Sequence, residues 1–112
     1  MELENAEGLY LLAKHYQEGT QIERDHHKAI ALHLRAANYG YPPSATALAH
    51  LYNESDLIER DPFEAYTWAL CAARLRFEPD NPPLDTDALE KELSDEQIEA
   101  AKKRTDDYIY NL

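Results

Sequence analysis

The chain has 112 residues, of which 44% are hydrophobic, so it can build one domain or one short array with a modest core. Twenty-two acidic residues against eleven basic ones give a net charge of −11, which disfavours nucleic acid and anionic membranes as partners. The same excess of acidic residues favours a basic partner, although solubility alone would also account for it. A single cysteine, Cys71, excludes an intrachain disulfide.

The first residues do not predict a leader, and no apolar run in the sequence approaches membrane-spanning length. The first residues, Met1–Asn5, are acidic and lack the basic start and apolar core of a signal peptide. We therefore expect a cytoplasmic protein, with the reservation that a chain trimmed of its leader would look the same.

The strongest pattern in the chain is an internal repeat. The tetrapeptide Ile22–Asp25 returns unchanged as Ile58–Asp61, 36 residues later. Eight further identities align at this offset: Leu12/Leu48, Ala13/Ala49, Tyr16/Tyr52, Glu18/Glu54, Ala29/Ala65, Leu34/Leu70, Ala36/Ala72 and Ala37/Ala73. A fixed period of this size is typical of stacked helical repeats, so the sequence predicts an all-α solenoid.

The first unit is predicted to form two helices. One apolar face of the first helix, between residues 3 and 18, carries Leu9, Leu12, Ala13 and Tyr16. Gly19 is expected to end this helix, and Asp25 to cap the start of the second, over residues 26–39. The apolar stripe of that second helix comprises Ala29, Ile30, Leu32, Leu34, Ala36 and Ala37. Gly40 is expected to close it, before a stiff corner over residues 41–44.

The second unit repeats this plan. Its first helix is expected to bury Ala45, Leu48, Ala49 and Tyr52, and Ser55 in place of Gly19 predicts a reshaped turn. Asp61 and Pro62 form a strong helix start, with Glu64 placed to complete a capping box. The helix that follows, to about residue 76, is expected to bury Ala65, Trp68, Ala72 and Ala73.

After Phe77 the repeat decays. A proline-rich loop covers residues 78–83, and a short helical stretch is expected near residues 87–93. A capping box at Ser94–Gln97 then predicts the start of a last helix, which ends at about Asn111. We divide the chain into two repeats within residues 1–77 (about 3–40 and 41–77), followed by residues 78–112 as this loop and a degenerate third repeat that caps the array.

The repeated unit resembles the Sel1-like repeat, a relative of the tetratricopeptide repeat. The residues that carry the resemblance are Ala13, Tyr16, Gly19, Ile22, Asp25, Lys28, Ala29, Leu32, Ala36, Ala37 and Gly40 in the first copy, with Trp68 and Ala72–Ala73 in the second. Departures from the family pattern are Leu32, His33, Ser55, Glu64 and Ala69. The resemblance implies an α/α solenoid of helix–turn–helix repeats with a C-terminal capping helix.

The resemblance also implies a role in binding other proteins, as adaptors and scaffolds of this family do. Some small bacterial members are immunity proteins that neutralise a toxin. A cysteine-rich branch is associated with β-lactam binding, but this chain lacks those cysteines.

Residues suited to catalysis or metal binding are sparse. His26 and His27 are adjacent and point about 100° apart on a helix, and His15 and His50 match no ligand spacing. His33 lies within an apolar stripe and is interpreted as a packed or interface histidine. Cys71 is expected to be buried and inert. We therefore predict no catalytic residue, metal or cofactor, and a metal-dependent hydrolase that uses the histidines remains the rival class.

A candidate partner-binding strip follows from the family resemblance, which implies that the first helix of each unit lines the concave side. The strip comprises Tyr10, Lys14 and Gln17 with their equivalents Thr46, His50 and Asn53. It mixes an aromatic ring, a cation and amides, the groups that anchor protein contacts, although all six also suit ordinary solvated positions. Four tyrosines lie near helix ends: Tyr39, Tyr41, Tyr108 and Tyr110. Two interpretations fit them equally well, as anchors of a protein contact or as side chains that cover the ends of neighbouring helices, and Tyr108 is expected to pack in the cap.

The sequence thus predicts a non-enzymatic protein-binding module, an adaptor or scaffold. The alternative is an immunity-type inhibitor that neutralises a bacterial toxin or effector.

Overall fold

The computed structural model describes residues 5–19, 22–55, 58–75 and 84–112, and within these ranges the chain forms six α-helices and no strand. The helices are α1 (Ala6–Glu18), α2 (His26–Asn38), α3 (Pro42–Glu54), α4 (Pro62–Arg74), α5 (Thr86–Glu90) and α6 (Asp95–Tyr110). Two hairpins, α1 with α2 and α3 with α4, stack through α2 and α3, and α6 packs on α4. The predicted all-α solenoid is confirmed.

The aspartate of the repeated tetrapeptide makes the same two bonds in each unit. The backbone N–H of Asp25 donates to the carbonyl of Tyr16 at 2.8 Å, and that of Asp61 donates to the carbonyl of Tyr52 at 2.9 Å. Each carboxylate then accepts from a first-turn amide of the next helix at 3.1 Å. The aspartate caps the second helix, as predicted. It also ties the linker back to the first helix, which was not predicted.

The two turns before these linkers differ in conformation. Gly19 has φ of 69°, and a Cβ added there would lie 3.1 Å from the Cβ of Arg24, so glycine fits this turn for both conformational and steric reasons. Ser55 instead has φ of −66° and ψ of 133°, an extended conformation. The serine hydroxyl hydrogen-bonds to Nδ1 of His26. The turn of the second unit is thus reshaped at Ser55 and tied to the first unit; the rest of it, residues 56 and 57, lies outside the described residues.

Small residues form most of the core. One cluster lies among α2, α3 and α4 and contains Ala37, Ala45, Leu48, Ala49, Trp68, Cys71 and Ala72. A second joins α4 to α5 and α6 through Ala65, Tyr66, Leu89 and Ala101. Alanines at these contacts allow the helix axes to approach closely, which suits a thin stacked array.

The last helix, α6, is fastened to both repeats. The Tyr108 hydroxyl donates to the carbonyl of Ala37 on α2, and its ring meets the Trp68 ring edge-on at 5.3 Å between centroids. Arg104 pairs with Glu64 at 2.6 Å. The predicted capping box at its start, Ser94 with Gln97, is present. We therefore keep as a proposal that residues 84–112 cap the array; the predicted proline-rich loop at 78–83 lies outside the described residues.

Four expectations for individual residues are wrong. Ala73 is exposed, and Leu12, on the predicted apolar face, is 43% exposed. Glu64 completes no capping box, because its carboxylate pairs with Arg104 instead. The predicted corner at residues 41–44 is the start of a helix, with Tyr41 as N-cap and α3 beginning at Pro42. Prolines suit a first turn because its amides have no partner within the helix.

Candidate functional site

Tyr10 on α1 contacts both α2 and the start of α3. Its ring centroid lies 5.5 Å from that of His33 on α2 and 5.4 Å from that of Tyr41, the N-cap residue of α3. Lys14 Nζ lies 5.7 Å from the centre of the Tyr10 ring and 3.8 Å from Glu18. The α1 part of the predicted strip therefore reaches the start of α3 through aromatic contacts.

Gln17 is held by two histidines of α2. Its side-chain oxygen accepts from Nε2 of His33 at 3.2 Å, and its backbone carbonyl accepts from Nε2 of His26 at 3.0 Å. Because Nε2 of His33 donates, Nδ1 is the acceptor for the hydroxyl of Ser44 on α3, 3.4 Å away. His33 is fully buried and thus links α1, α2 and α3, consistent with its interpretation as a packed histidine.

The pKa of His33 is lowered to about 4. Burial is the main cause, because it removes water from the charged imidazolium, and the nearby positive charge of Lys14 adds to the effect. His33 therefore stays neutral at physiological pH and serves as a hydrogen-bonding link.

Asn53 has a different partner from its equivalent, Gln17. The Asn53 side-chain oxygen accepts from Nε and Nη2 of Arg60 at 3.0 and 2.7 Å. The same guanidinium makes two bonds to the carboxylate of Glu92, at 2.6 and 2.7 Å. Arg60 belongs to the repeated tetrapeptide, so this motif fixes the end of α3 to the segment between α5 and α6.

Thr46 and His50 lie one turn apart on α3 and are more buried than a solvated strip would be. Thr46 is 9% exposed and the His50 side chain 21% exposed. Thr46 Oγ1 and His50 Nε2 are buried and have no hydrogen-bond partner among the described residues. His50 Nδ1 lies 3.3 Å from Glu54, which repeats the Lys14–Glu18 pairing of the first unit.

Five of the six predicted residues are therefore half-buried, and Thr46 is buried. The sequence did not predict which residues hold them: Tyr10 contacts His33 and Tyr41, Gln17 bonds to His33, and Asn53 bonds to Arg60. Two signals were visible, a histidine in an apolar stripe and an arginine in the repeated tetrapeptide. Of the four tyrosines at helix ends, Tyr39 and Tyr110 are largely exposed, while Tyr41 and Tyr108 pack against other rings.

Cys71 is buried beside α6. Its thiol donates to Thr105 Oγ1 at 3.8 Å, and burial raises the pKa of the thiol to about 11. We expect the native thiol to react with a disulfide reagent at pH 8 about 100-fold more slowly than the thiol of the urea-unfolded chain, because its thiolate fraction is that much smaller. A native rate equal to the unfolded rate, measured by absorbance, would show an accessible thiol.

Among the described residues, no group of three or more histidine, cysteine, aspartate or glutamate side chains could hold a metal ion.

A cleft of 360 Å³ lies where α2, α4 and α6 meet, lined in part by Trp68, Arg104 and Tyr108. No helix in the described ranges is long and apolar enough to cross a membrane.

Comparisons with known proteins agree with the fold. The model of the Sel1 repeat matches residues 6–41 and 42–77. The crystal structure of a protective antigen from uropathogenic Escherichia coli strains, which displays an SLR fold, superposes with a TM-score of 0.76 and 19% sequence identity. The alignment covers 96% of this chain and 23% of the antigen. Comparison with curated protein sequences gives no match.

Paired helices stacked at a fixed 36-residue period define an α/α solenoid repeat protein. The chain belongs to the Sel1 repeat family. Proteins built of Sel1 repeats are in general scaffolds that bind other proteins, and they are typically non-catalytic.

Proposed function

We propose that this chain is a non-enzymatic adaptor or scaffold that binds a partner protein through the inner strip, defined as Tyr10, Lys14 and Gln17 on α1 with Thr46, His50 and Asn53 on α3. The observation that supports this most is the contact of the Tyr10 and Tyr41 rings, 5.4 Å between centroids, because it links α1 to the N-cap residue of α3. On this proposal the six residues act together as one binding surface across both repeats.

Internal bonds hold two polar members of the inner strip, Gln17 and Asn53, in place before any partner arrives. Gln17 is fixed by His33 and His26, and Asn53 by Arg60. Side chains whose conformations are already restricted lose less entropy when a complex forms. A pre-positioned row of this kind favours specific recognition over non-specific adhesion.

Charge indicates the chemistry of the partner. The chain carries −11, and exposed carboxylates of Glu18 and Glu54 flank the inner strip at equivalent positions. A basic protein surface would complement both the local and the overall charge, whereas nucleic acid and anionic membranes would be repelled. Binding is therefore expected to weaken as salt is added.

The double variant Tyr10→Ala, His50→Ala should capture at least about tenfold less of the partner from the source cell, because two central contacts are truncated. Capture is quantified at low salt by mass spectrometry. The matched control is Tyr110→Ala, His27→Ala, which removes the same side chains from exposed positions. A melting temperature close to that of the original chain shows that the fold persists. Equal capture by both double variants would refute the strip.

An immunity-type inhibitor is the second candidate, and the acidic charge of −11 is the feature that favours it. Such an inhibitor would rescue cells that express its toxin, whereas an adaptor would rescue none. For the rival metal-dependent hydrolase, no group of side chains among the described residues could hold the ion that it needs. Elemental analysis of the purified protein would detect such an ion.

A further inference from the structure

The two amide side chains of the inner strip, Gln17 and Asn53, lie at equivalent positions of the two repeats, and the oxygen of each is bonded within the fold. Asn53 Oδ1 accepts from Nε and Nη2 of Arg60. Because a guanidinium group only donates, these contacts require the oxygen of the Asn53 amide to face Arg60. Gln17 Oε1 likewise accepts from Nε2 of His33, at 3.2 Å. The internal bonds therefore occupy the oxygen of both amides.

The nitrogen of each amide is left to donate. Neither Nε2 of Gln17 nor Nδ2 of Asn53 bonds to a residue that the structure describes, and both side chains are half-buried. Neither atom is among the buried polar atoms that lack a partner, so both are open to solvent. An amide nitrogen carries two N–H groups and serves only as a donor. The inner strip thus offers hydrogen-bond donors at the same position of each repeat.

The charge around the amides distinguishes between the two kinds of acceptor that a partner could present, carboxylates and uncharged carbonyls. An exposed glutamate directly follows each amide, Glu18 in the first repeat and Glu54 in the second. Lys14 lies 3.8 Å from Glu18, whereas Glu54 lies beside the ring of His50. In a chain of net charge −11, a carboxylate would meet repulsion that an uncharged carbonyl oxygen would not.

The availability of carbonyl groups narrows the class of ligand further. Backbone carbonyls within helices and sheets are already bonded to N–H groups of their own protein. An extended segment outside a sheet leaves its carbonyl oxygens free and repeats them at regular intervals along the backbone. Donors that the stack repeats therefore suit a ligand whose acceptors are also repeated.

We propose that the inner strip binds an extended peptide segment of its partner, and that Gln17 and Asn53 donate to backbone carbonyl oxygens of that segment. This inference rests on the proposed function, which makes the strip the partner-binding surface, and it adds the class of ligand. Arg60 and His33 are then positioning residues, because they bind the amide oxygens and so determine which end of each amide meets the ligand.

The test starts from short linear peptides of random sequence, displayed on phage and selected on the full chain. A selected peptide is synthesised with a fluorophore and titrated by fluorescence anisotropy. Gln17→Glu and Asn53→Asp keep the oxygen that is bonded internally and replace the NH₂ group, so each variant should weaken binding about fivefold to tenfold. The loss should persist in about 1 M salt, where repulsion from the added charge is screened.

The capping box of α6 supplies the matched control. Gln97→Glu makes the same amide-to-acid change at an exposed position, and the oxygen that it retains also accepts an internal bond, from the backbone N–H of Ser94. This variant should bind the peptide normally. In nitrogen-edited proton NMR spectra, the side-chain NH₂ signals of Gln17 and Asn53, each assigned by its disappearance in the variant, should shift when the peptide is added.

Two results would overturn the inference and leave the proposed function standing. One is that no selected peptide binds the full chain. The other is a peptide whose binding is weakened by the double variant Tyr10→Ala, His50→Ala, but which at least one amide variant does not weaken in high salt. Peptide binding that neither the double variant nor the amide variants weaken would overturn the inference and would also count against the inner strip itself.

Discussion

Replacing Leu48 with alanine is expected to lower the free energy of unfolding by about 2–5 kcal/mol. Leu48 is fully buried in the cluster shared by α2, α3 and α4, so truncation removes apolar contacts and leaves a cavity between the two repeats. A loss of this size is a large part of the total stability of a small domain. The measurement is urea unfolding followed by circular dichroism.

The repeat supplies the matched control. Leu12 occupies the equivalent position of the first unit and is 43% exposed, so Leu12→Ala should cost less than about 1 kcal/mol. Because the substitution and the helical position are the same, the difference between the two variants measures the effect of burial on stability, apart from that of helix propensity. Equal losses for the two variants would mean that Leu12 is covered in solution, or that the stacking of α2 on α3 is not as described.

A second large effect is expected when the pH is lowered. The pKa of His33 is about 4 in the folded protein, below the ordinary value of 6.5, so the unfolded chain takes up a proton over this interval and the folded chain does not. Stability is therefore lost as the pH falls from 6.5 towards 4 and levels off below it. Between pH 7 and pH 5 the contribution of His33 amounts to about 2 kcal/mol.

Comparison with a variant isolates this contribution from the other titrating groups. His33→Leu fills a similar space and does not titrate, so its stability should fall between pH 7 and pH 5 by about 2 kcal/mol less than that of the original chain. His27→Leu, at an exposed position of the same helix, should retain the full dependence. If His33→Leu loses as much stability as the original chain, the buried histidine is not kept neutral by the fold.

Local sequence signals predicted most of the helix boundaries. Asp25, Asp61 and Ser94 each cap a helix as expected, and Gly19 ends one, because capping depends on residues within a few positions of one another. The period of 36 residues predicted the pairing of helices, since two units with the same apolar pattern must stack to bury it.

What the sequence did not show depends on neighbours distant in the chain. Helical periodicity identifies an apolar face but not whether another helix covers it, so Leu12 and Leu48 looked alike. Glu64 matched a capping box, yet its carboxylate pairs with Arg104, 40 residues away. The bonds from Arg60 to Glu92 likewise join residues 32 apart. Such pairs follow from how residues 84–112 pack on the second repeat, which no local pattern encodes.

The same limit applies to the inner strip. Its six residues were selected by position on the first helices, and the structure adds that His33 and Arg60 hold two of them in place. The strip remains a prediction, as does the identity of the protein that contacts it.

Amide hydrogen exchange of the chain, alone and with its captured partner, tests the proposed function most directly. Binding through the inner strip predicts slower exchange in residues 10–17 and 46–53, with little change in the exposed last turns of α6. Protection confined to α6, or no partner that survives capture at low salt, would contradict the proposal.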